Sequence, residues 1–231
     1  MEILSNGFTL DICPGGFPLS TDSIALADFV KLPAKAQILD LGSGCGTLGL
    51  LLCAKDPGCM VTGIELDENA HQTAIDNMTR NGLDGRLTSI CADMTQIPSH
   101  MAGKFDICIS NPPYFTAGPA SRDFQVARRE DQCTMEQLFA SSARALRYGG
   151  DFYLVHRPER LAQLCACACH AGLEPKRLCL LRHHIDGPVS LVLVQCRKGG
   201  KPGLLWQEAS LHHADGTLTD YYRRLYHIEE A

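Results

Sequence analysis

Short apolar runs recur along this chain, and each breaks off at an acid, a glycine or a proline. Gln37–Leu41, Met60–Glu65, Leu87–Met94, Phe105–Ser110 and Asp151–His156 are aliphatic with little strict alternation. That pattern predicts strands buried on both faces of a parallel sheet. Between them lie helical stretches at Thr47–Lys55, Glu68–Asn81, Met135–Arg147 and Pro158–Ala171. Their ends carry helix-boundary residues: Asn81-Gly82, Gly149-Gly150, a proline in the first turn at 158 and Gly172 past the last. Ser20-Thr21-Asp22-Ser23 ahead of Ile24–Val30 predicts a further helix with a polar N-cap. Strands alternating with helices predict βαβ units. Arg177–Leu181 and Val189–Cys196, joined through the turn Asp186-Gly187-Pro188, predict an antiparallel hairpin. The sum is an α/β fold, a doubly wound, seven-stranded, mostly parallel sheet with an antiparallel last strand. Residues 1–22 form an N-terminal apron, 23–197 the main domain and 198–231 a polar C-terminal tail.

The breaks carry the chemistry. Gly42-Ser43-Gly44-Cys45-Gly46 joins a strand to a helix, the arrangement that brings backbone and unpaired helix N–H groups against a ligand. A dinucleotide fingerprint requires glycine at 47, where this chain has Thr47, and no Gly-Lys-Ser/Thr follows for a triphosphate. Glu65 ends the next strand, where a carboxylate accepts from both ribose hydroxyls; the alternative is a solvated strand-end charge. Asp93 ends the third, placed to accept from an adenine amino group while Met94 packs near the ring; the alternative is a turn aspartate. Thr21 and Asp22 cap a helix and, on a second reading, border the same pocket. The fourth strand ends in Asn111-Pro112-Pro113-Tyr114. Its prolines hold the backbone extended. An amide, two carbonyls and an aromatic ring are therefore presented at a strand's C-terminal end, where open α/β sheets bind ligands.

Composition narrows the classes. Of 231 residues 45% are hydrophobic and 20% charged, with a net charge of −5, which excludes a broadly basic nucleic-acid coat but not a local basic patch. The loop from Phe115 to Cys133 concentrates Arg122, Arg128 and Arg129, the best-placed RNA contacts; loops beyond about 12–15 residues are commonly lids or binding loops. There are twelve cysteines. No secretory signal is read at Met1–Leu10 and no apolar run reaches the roughly 18 residues of a membrane span, so reduced thiols and a cytoplasmic location are expected. Cys165, Cys167 and Cys169 are spaced too closely for zinc pairs. The adjacent pairs His183-His184 and His212-His213 are expected to diverge along a strand or helix and to be surface histidines rather than ligands. No metal is expected.

Leu39-Asp40-Leu41-Gly42-Ser43-Gly44-Cys45-Gly46, Glu65, Ala92-Asp93 and Asn111-Pro112-Pro113-Tyr114 together resemble class I S-adenosylmethionine-dependent methyltransferases, from about Thr21 to Cys196. The Asn-Pro-Pro-Tyr tetrad is similar to that of the members that methylate amino or amide nitrogens. Phe17-Pro18-Leu19-Ser20-Thr21-Asp22-Ser23, Ala127-Arg128-Arg129-Glu130 and, loosely, Gly216-x-Leu218-Thr219-x-Tyr221-Tyr222 resemble the valine-tRNA adenine 6-amino methyltransferase family. Cys45 stands where that family often has another residue. The resemblance implies a Rossmann-like methyltransferase fold and S-adenosylmethionine held by Thr21, Asp40, Gly42, Ser43, Gly44, Glu65, Leu66, Asp93, Met94 and Asn111. It implies catalysis by Asn111, Pro112 and Tyr114 on an adenine of tRNA, the one beside the anticodon of valine tRNA. Methylation of a protein glutamine amide, or of a guanine or adenine amino group in ribosomal RNA, is the alternative enzyme reading. The short stretch before the first helix argues against the release-factor methyltransferases, which usually carry a helical domain there. A scaffold supporting a partner methyltransferase is the non-enzymatic reading. Oligomeric state is left open, a monomer being consistent with the sequence.

Overall fold

Residues that alternate along the central strands divide between two apolar layers, which is why those strands read as continuously apolar. In a computed structural model describing residues 1–4, 6–112 and 133–228, the sheet contains β3 (Gln37–Leu41), β4 (Met60–Glu65), β5 (Leu87–Cys91), β6 (Phe105–Ser110) and β7 (Leu146–His156). Successive strand side chains point to opposite faces. Ile38, Ile107, Ile109 and Tyr153 enter one core with α1 (Thr21–Phe29) and α2 (Thr47–Lys55), while Leu39, Leu41, Cys108 and Phe152 enter the other. That second core is closed by α4 (Met135–Ala145) and α5 (Leu161–His170), with α3 (Glu68–Arg80) alongside β5. A short antiparallel pair, β1 (Glu2–Ile3) and β2 (Thr9–Leu10), precedes them.

Strand order is β10-β8-β9-β7-β6-β3-β4-β5, where β8 is Leu173–His184, β9 Val189–Lys198 and β10 Leu205–His212. β3 pairs in parallel with β4 on one side and β6 on the other. The chain thus reverses direction of travel there, and a cleft opens at the C-terminal ends of β3 and β6. The expected seven strands are all present, and β9 runs antiparallel to both neighbours. An eighth, β10, adds in parallel to β8, followed by α6 (Asp220–Tyr226). The segment expected as a tail therefore extends the sheet, and Leu211 and Leu225 join the first core.

One boundary moved. The helix expected to reach Arg147 stops at Ala145, and β7 begins at Leu146. Gly149-Gly150 lies within that strand rather than behind a helix. A Cβ at Gly150 would meet the Asp106 and Arg147 carbonyl oxygens at 2.9 and 3.0 Å, and the β6–β7 register shifts between Phe105 and Ile107. The glycines allow close backbone approach at a bulge.

Candidate active site

Backbone bonds hold the start of the turn after β3. Gly42 and Ser43 donate their N–H groups to the Ile64 carbonyl at 2.9 and 3.0 Å, so the turn is strapped to the neighbouring strand. Gly44 (φ +55°) and Gly46 (φ +83°) occupy the left-handed region that favours glycine. Gly46 caps α2 without any side-chain bond, leaving first-turn N–H groups to face the cleft. Glu65 accepts the Gly44 N–H at Oε2 and the Asp67 N–H at Oε1, both at 2.8 Å. Each oxygen keeps a second lone pair.

The other wall comes from β6. Buried Ser110 donates its hydroxyl to the Leu41 carbonyl at 2.7 Å, tying the strand end to β3 just before Asn111. Asn111 Nδ2 donates to Ser23 Oγ at 3.0 Å. Since the amide's nitrogen and oxygen point apart, that bond makes Oδ1 the group's outward acceptor. Ser23 is buried in the first turn of α1, whose cap, Ser20, accepts the Ser23 N–H.

Between these walls is a cavity of about 480 Å³, lined among others by Phe17, Ser20, Asp22, Gly44, Glu65 and Asn111. That is a size suited to a cofactor. Two carboxylates line it, and no lysine, arginine or histidine does so among the described residues. Asp40 lies fully buried behind the glycine turn. Neither of its oxygens has a hydrogen-bond partner among the described residues, nor does Ser43 Oγ, which lines the cavity. Burial pushes the Asp40 carboxyl up to about 8, and the Glu65 charge adds to the effect. Burial also raises Asp22 against the opposing pull of Arg157. Carboxylates in a cavity lining that holds no cationic side chain among the described residues suit a positively charged ligand and oppose a phosphate-bearing one. S-Adenosylmethionine, with its sulfonium, ammonium and ribose diol, fits this donor set: Glu65 would take the diol, the glycine turn would cradle the chain, and the acids would face the cations.

The expected site residues separate into groups. Gly42, Ser43, Gly44, Glu65, Asn111 and Pro112 line the cavity. Thr21 does not; its hydroxyl is 2.8 Å from that of Tyr226 on α6, because its position in the first turn of α1 faces the C-terminal helix. Asp93 does not either. β5 ends at Cys91, and Asp93 forms a turn, Oδ1 accepting from the Thr95 N–H and hydroxyl at 2.8 and 2.7 Å and Oδ2 from Gln96 at 3.3 Å. The Thr95 N–H holds its carboxyl below the usual range. Met94 borders the glycine turn, 3.8 Å from where a Gly42 Cβ would be. Leu66 is 48% exposed and outside the lining. Tyr114, Arg122, Arg128 and Arg129 lie outside the described residues. Gly16, Phe17, Pro18 and Ser23 line the cavity although local sequence reading assigned them to an apron and a helix cap. The signals for them are an aromatic residue among prolines and glycines and the family-like run over 17–23; nothing local says that this loop folds back onto a turn far along the chain.

Residues 20–163 match the family model of the methyltransferase small domain. A tRNA1(Val) (adenine(37)-N6)-methyltransferase from Aeromonas hydrophila is 32% identical, the alignment covering 90% of this chain and 87% of that protein. One from Serratia proteamaculans is 28% identical over 90% of this chain and 81% of its own. Among solved structures, a predicted O-methyltransferase from Agrobacterium tumefaciens superposes with a TM-score of 0.75 at 20% identity, covering 90% of this chain and 96% of that one, a likeness of fold. The chain, an S-adenosylmethionine-dependent enzyme, belongs to the methyltransferase small-domain family and groups there with the tRNA1(Val) (adenine(37)-N6)-methyltransferases.

Proposed function

We propose that this protein methylates the exocyclic 6-amino group of an adenine in tRNA, and that the base is the one its relatives' names describe, position 37 of tRNA1(Val). The observation that carries this reading is the Asn111 amide, fixed by Ser23 with its oxygen as the acceptor, in the same cavity as the glycine turn and Glu65. An adenine amino nitrogen is a weak nucleophile because its lone pair is delocalised into the ring. Asn111 Oδ1 accepts one of its N–H groups and the Pro112 carbonyl the other, which orients the nitrogen. S-Adenosylmethionine, when bound, supplies an electrophilic methyl. As the nitrogen loses its lone pair, its N–H groups become more acidic and both acceptors hold them more strongly, so the two carbonyls favour the transition state over the ground state. The proton leaves afterwards to solvent, and no prior general base is required. Tyr114 stacks on the base, worth roughly 1–3 kcal/mol. Arg122, Arg128 and Arg129 meet phosphates, so tRNA affinity falls with salt. The enzyme works in the cytoplasm, where its twelve free thiols stay reduced.

Methyl-labelled S-adenosylmethionine offered with bulk tRNA and total protein tests the reading. Label is expected in tRNA and, after digestion, in 6-methyladenosine; label in protein would overturn it. Asn111→Ala is expected to lower methyl transfer roughly 100-fold or more while calorimetry finds cofactor affinity little changed.

A further inference from the structure

Two histidine pairs that sequence spacing sets apart meet at one end of the sheet. β8 ends in His183-His184, β10 ends in His212, and the parallel register places His212 opposite His184. Adjacent strand residues ordinarily diverge, but the β8–β9 register shifts between Leu181 and Arg182, which releases the strand end from strict alternation. The ring centroids of His183 and His184 are 5.0 Å apart, those of His183 and His212 4.9 Å, and those of His184 and His212 5.2 Å. One ring nitrogen from each lies within 4.8 Å of the other two.

The outer hydrogen bonds give this cluster direction. His212 Nδ1 is 3.2 Å from the His183 carbonyl oxygen, and His184 Nδ1 is 3.4 Å from that of His213. A ring that donates its Nδ1–H to a carbonyl is fixed with its lone pair on Nε2, and metal-bound imidazoles are ordinarily held in that way. Tyr222 of α6 packs against the His212 ring, centroids 5.4 Å apart. His183 and His184 are exposed and His212 is half-buried, so the rings can turn without disturbing the core.

We propose that His183, His184 and His212 form a binding site for a divalent transition-metal ion of the borderline class, Zn²⁺ foremost, with water in the fourth position. Zn–N bonds of about 2.0–2.1 Å in a tetrahedron put ligand nitrogens roughly 3.3 Å apart. Closing from 4.8 Å to that spacing is a movement of at most about 1.5 Å, within the reach of side-chain rotation. The bound ion joins β10, an edge strand whose first residues Leu205 and Trp206 are exposed, to β8. The site is separated from the Asn111 corner by β9 and β7, so it acts as a clasp on the C-terminal segment and takes no part in methyl transfer.

The test uses the full chain, stripped by chelation and kept reduced, titrated with Co²⁺ and then Zn²⁺. One equivalent of Co²⁺ is expected to give visible d–d bands without thiolate-to-cobalt charge transfer, which separates this site from the cysteines, and Zn²⁺ to displace it. His212→Gln, and His183→Gln with His184→Gln, are expected to weaken binding at least about tenfold. His213→Gln, which keeps its backbone carbonyl, is expected to leave affinity within about twofold, because only that carbonyl supports the cluster. Zn²⁺ is expected to slow amide exchange in β10 of the unaltered chain but not of His212→Gln. No binding below millimolar metal, a thiolate signature, or affinity indifferent to His212→Gln would each overturn the proposal.

Discussion

Ser23 illustrates how a side chain remote in sequence sets the chemistry of another. Without it the Asn111 amide is free to rotate and to present its N–H₂ to the amino group it is meant to hold. The bond between them spans 88 residues and is buried on the Ser23 side. Ser23→Ala is therefore expected to lower kcat roughly tenfold, as an orientation effect, with little change in the KM for S-adenosylmethionine. Ser23→Thr, which keeps the hydroxyl, is expected to restore most of it. An equal loss in both variants, or a loss confined to KM, would assign Ser23 to packing instead. Asn111 itself was legible from sequence because two prolines after an apolar strand mark a special corner. Ser23 was not, since its sequence context is fully accounted for by helix capping.

At the scale of elements, α3 and its C-cap carry two asparagines one turn apart that act as a substitute ladder for the extended segment beside them. Asn81 accepts from the Thr9 N–H at 2.8 Å and donates to its carbonyl at 2.7 Å; Asn77 does the same for Asp11, at 2.9 Å for both bonds. Four helical residues rise about 6 Å and two strand residues about 6.6 Å, so the amides fall in step with alternate strand residues. Asn77 also donates to the Cys45 carbonyl at 2.9 Å, joining the N-terminal segment to the glycine turn. Asn77→Ala leaves buried backbone groups unpaired and is expected to cost about 1–3 kcal/mol by urea unfolding, with weaker cofactor binding by calorimetry because the wall containing Gly16 and Phe17 loosens. Periodicity reads elements well where one apolar layer lies on each face: β3, β4, β6 and α2 have the boundaries their residues predict. It fails for β10, whose burial is so slight that the segment carries polar tail character. It fails for the start of β7, where a glycine pair that usually ends helices serves close strand approach.

For the whole molecule, two buried groups pull the pH dependence of stability in opposite directions. His156 is fully buried, and burial lowers it from 6.5 to about 4; Asp40 is raised from 3.8 to about 8. Between those His156 values the unfolded chain binds the extra proton, so stability rises with pH. Between the Asp40 values the folded chain holds the extra proton, so stability falls with pH. The two contributions oppose each other from about pH 4 to 6.5, and from 6.5 to 8 the Asp40 decline alone remains of these two. In cofactor-free protein, Asp40→Asn is expected to abolish that decline and uncover a rise below pH 6.5, at most about 1.4 kcal/mol per pH unit for one proton. Urea midpoints measured across the range check it; parallel profiles for the two proteins would place the Asp40 titration elsewhere. The hydroxyl contact between Thr21 and Tyr226 has a consequence in time. The helix that carries Ser23 emerges early in synthesis, yet this one of its braces is supplied more than two hundred residues later in the chain, after the glycine turn and the Asn111 strand end. Contacts of such sequence separation slow folding, so the Thr21–Tyr226 brace is expected to close after α1 has packed on α2.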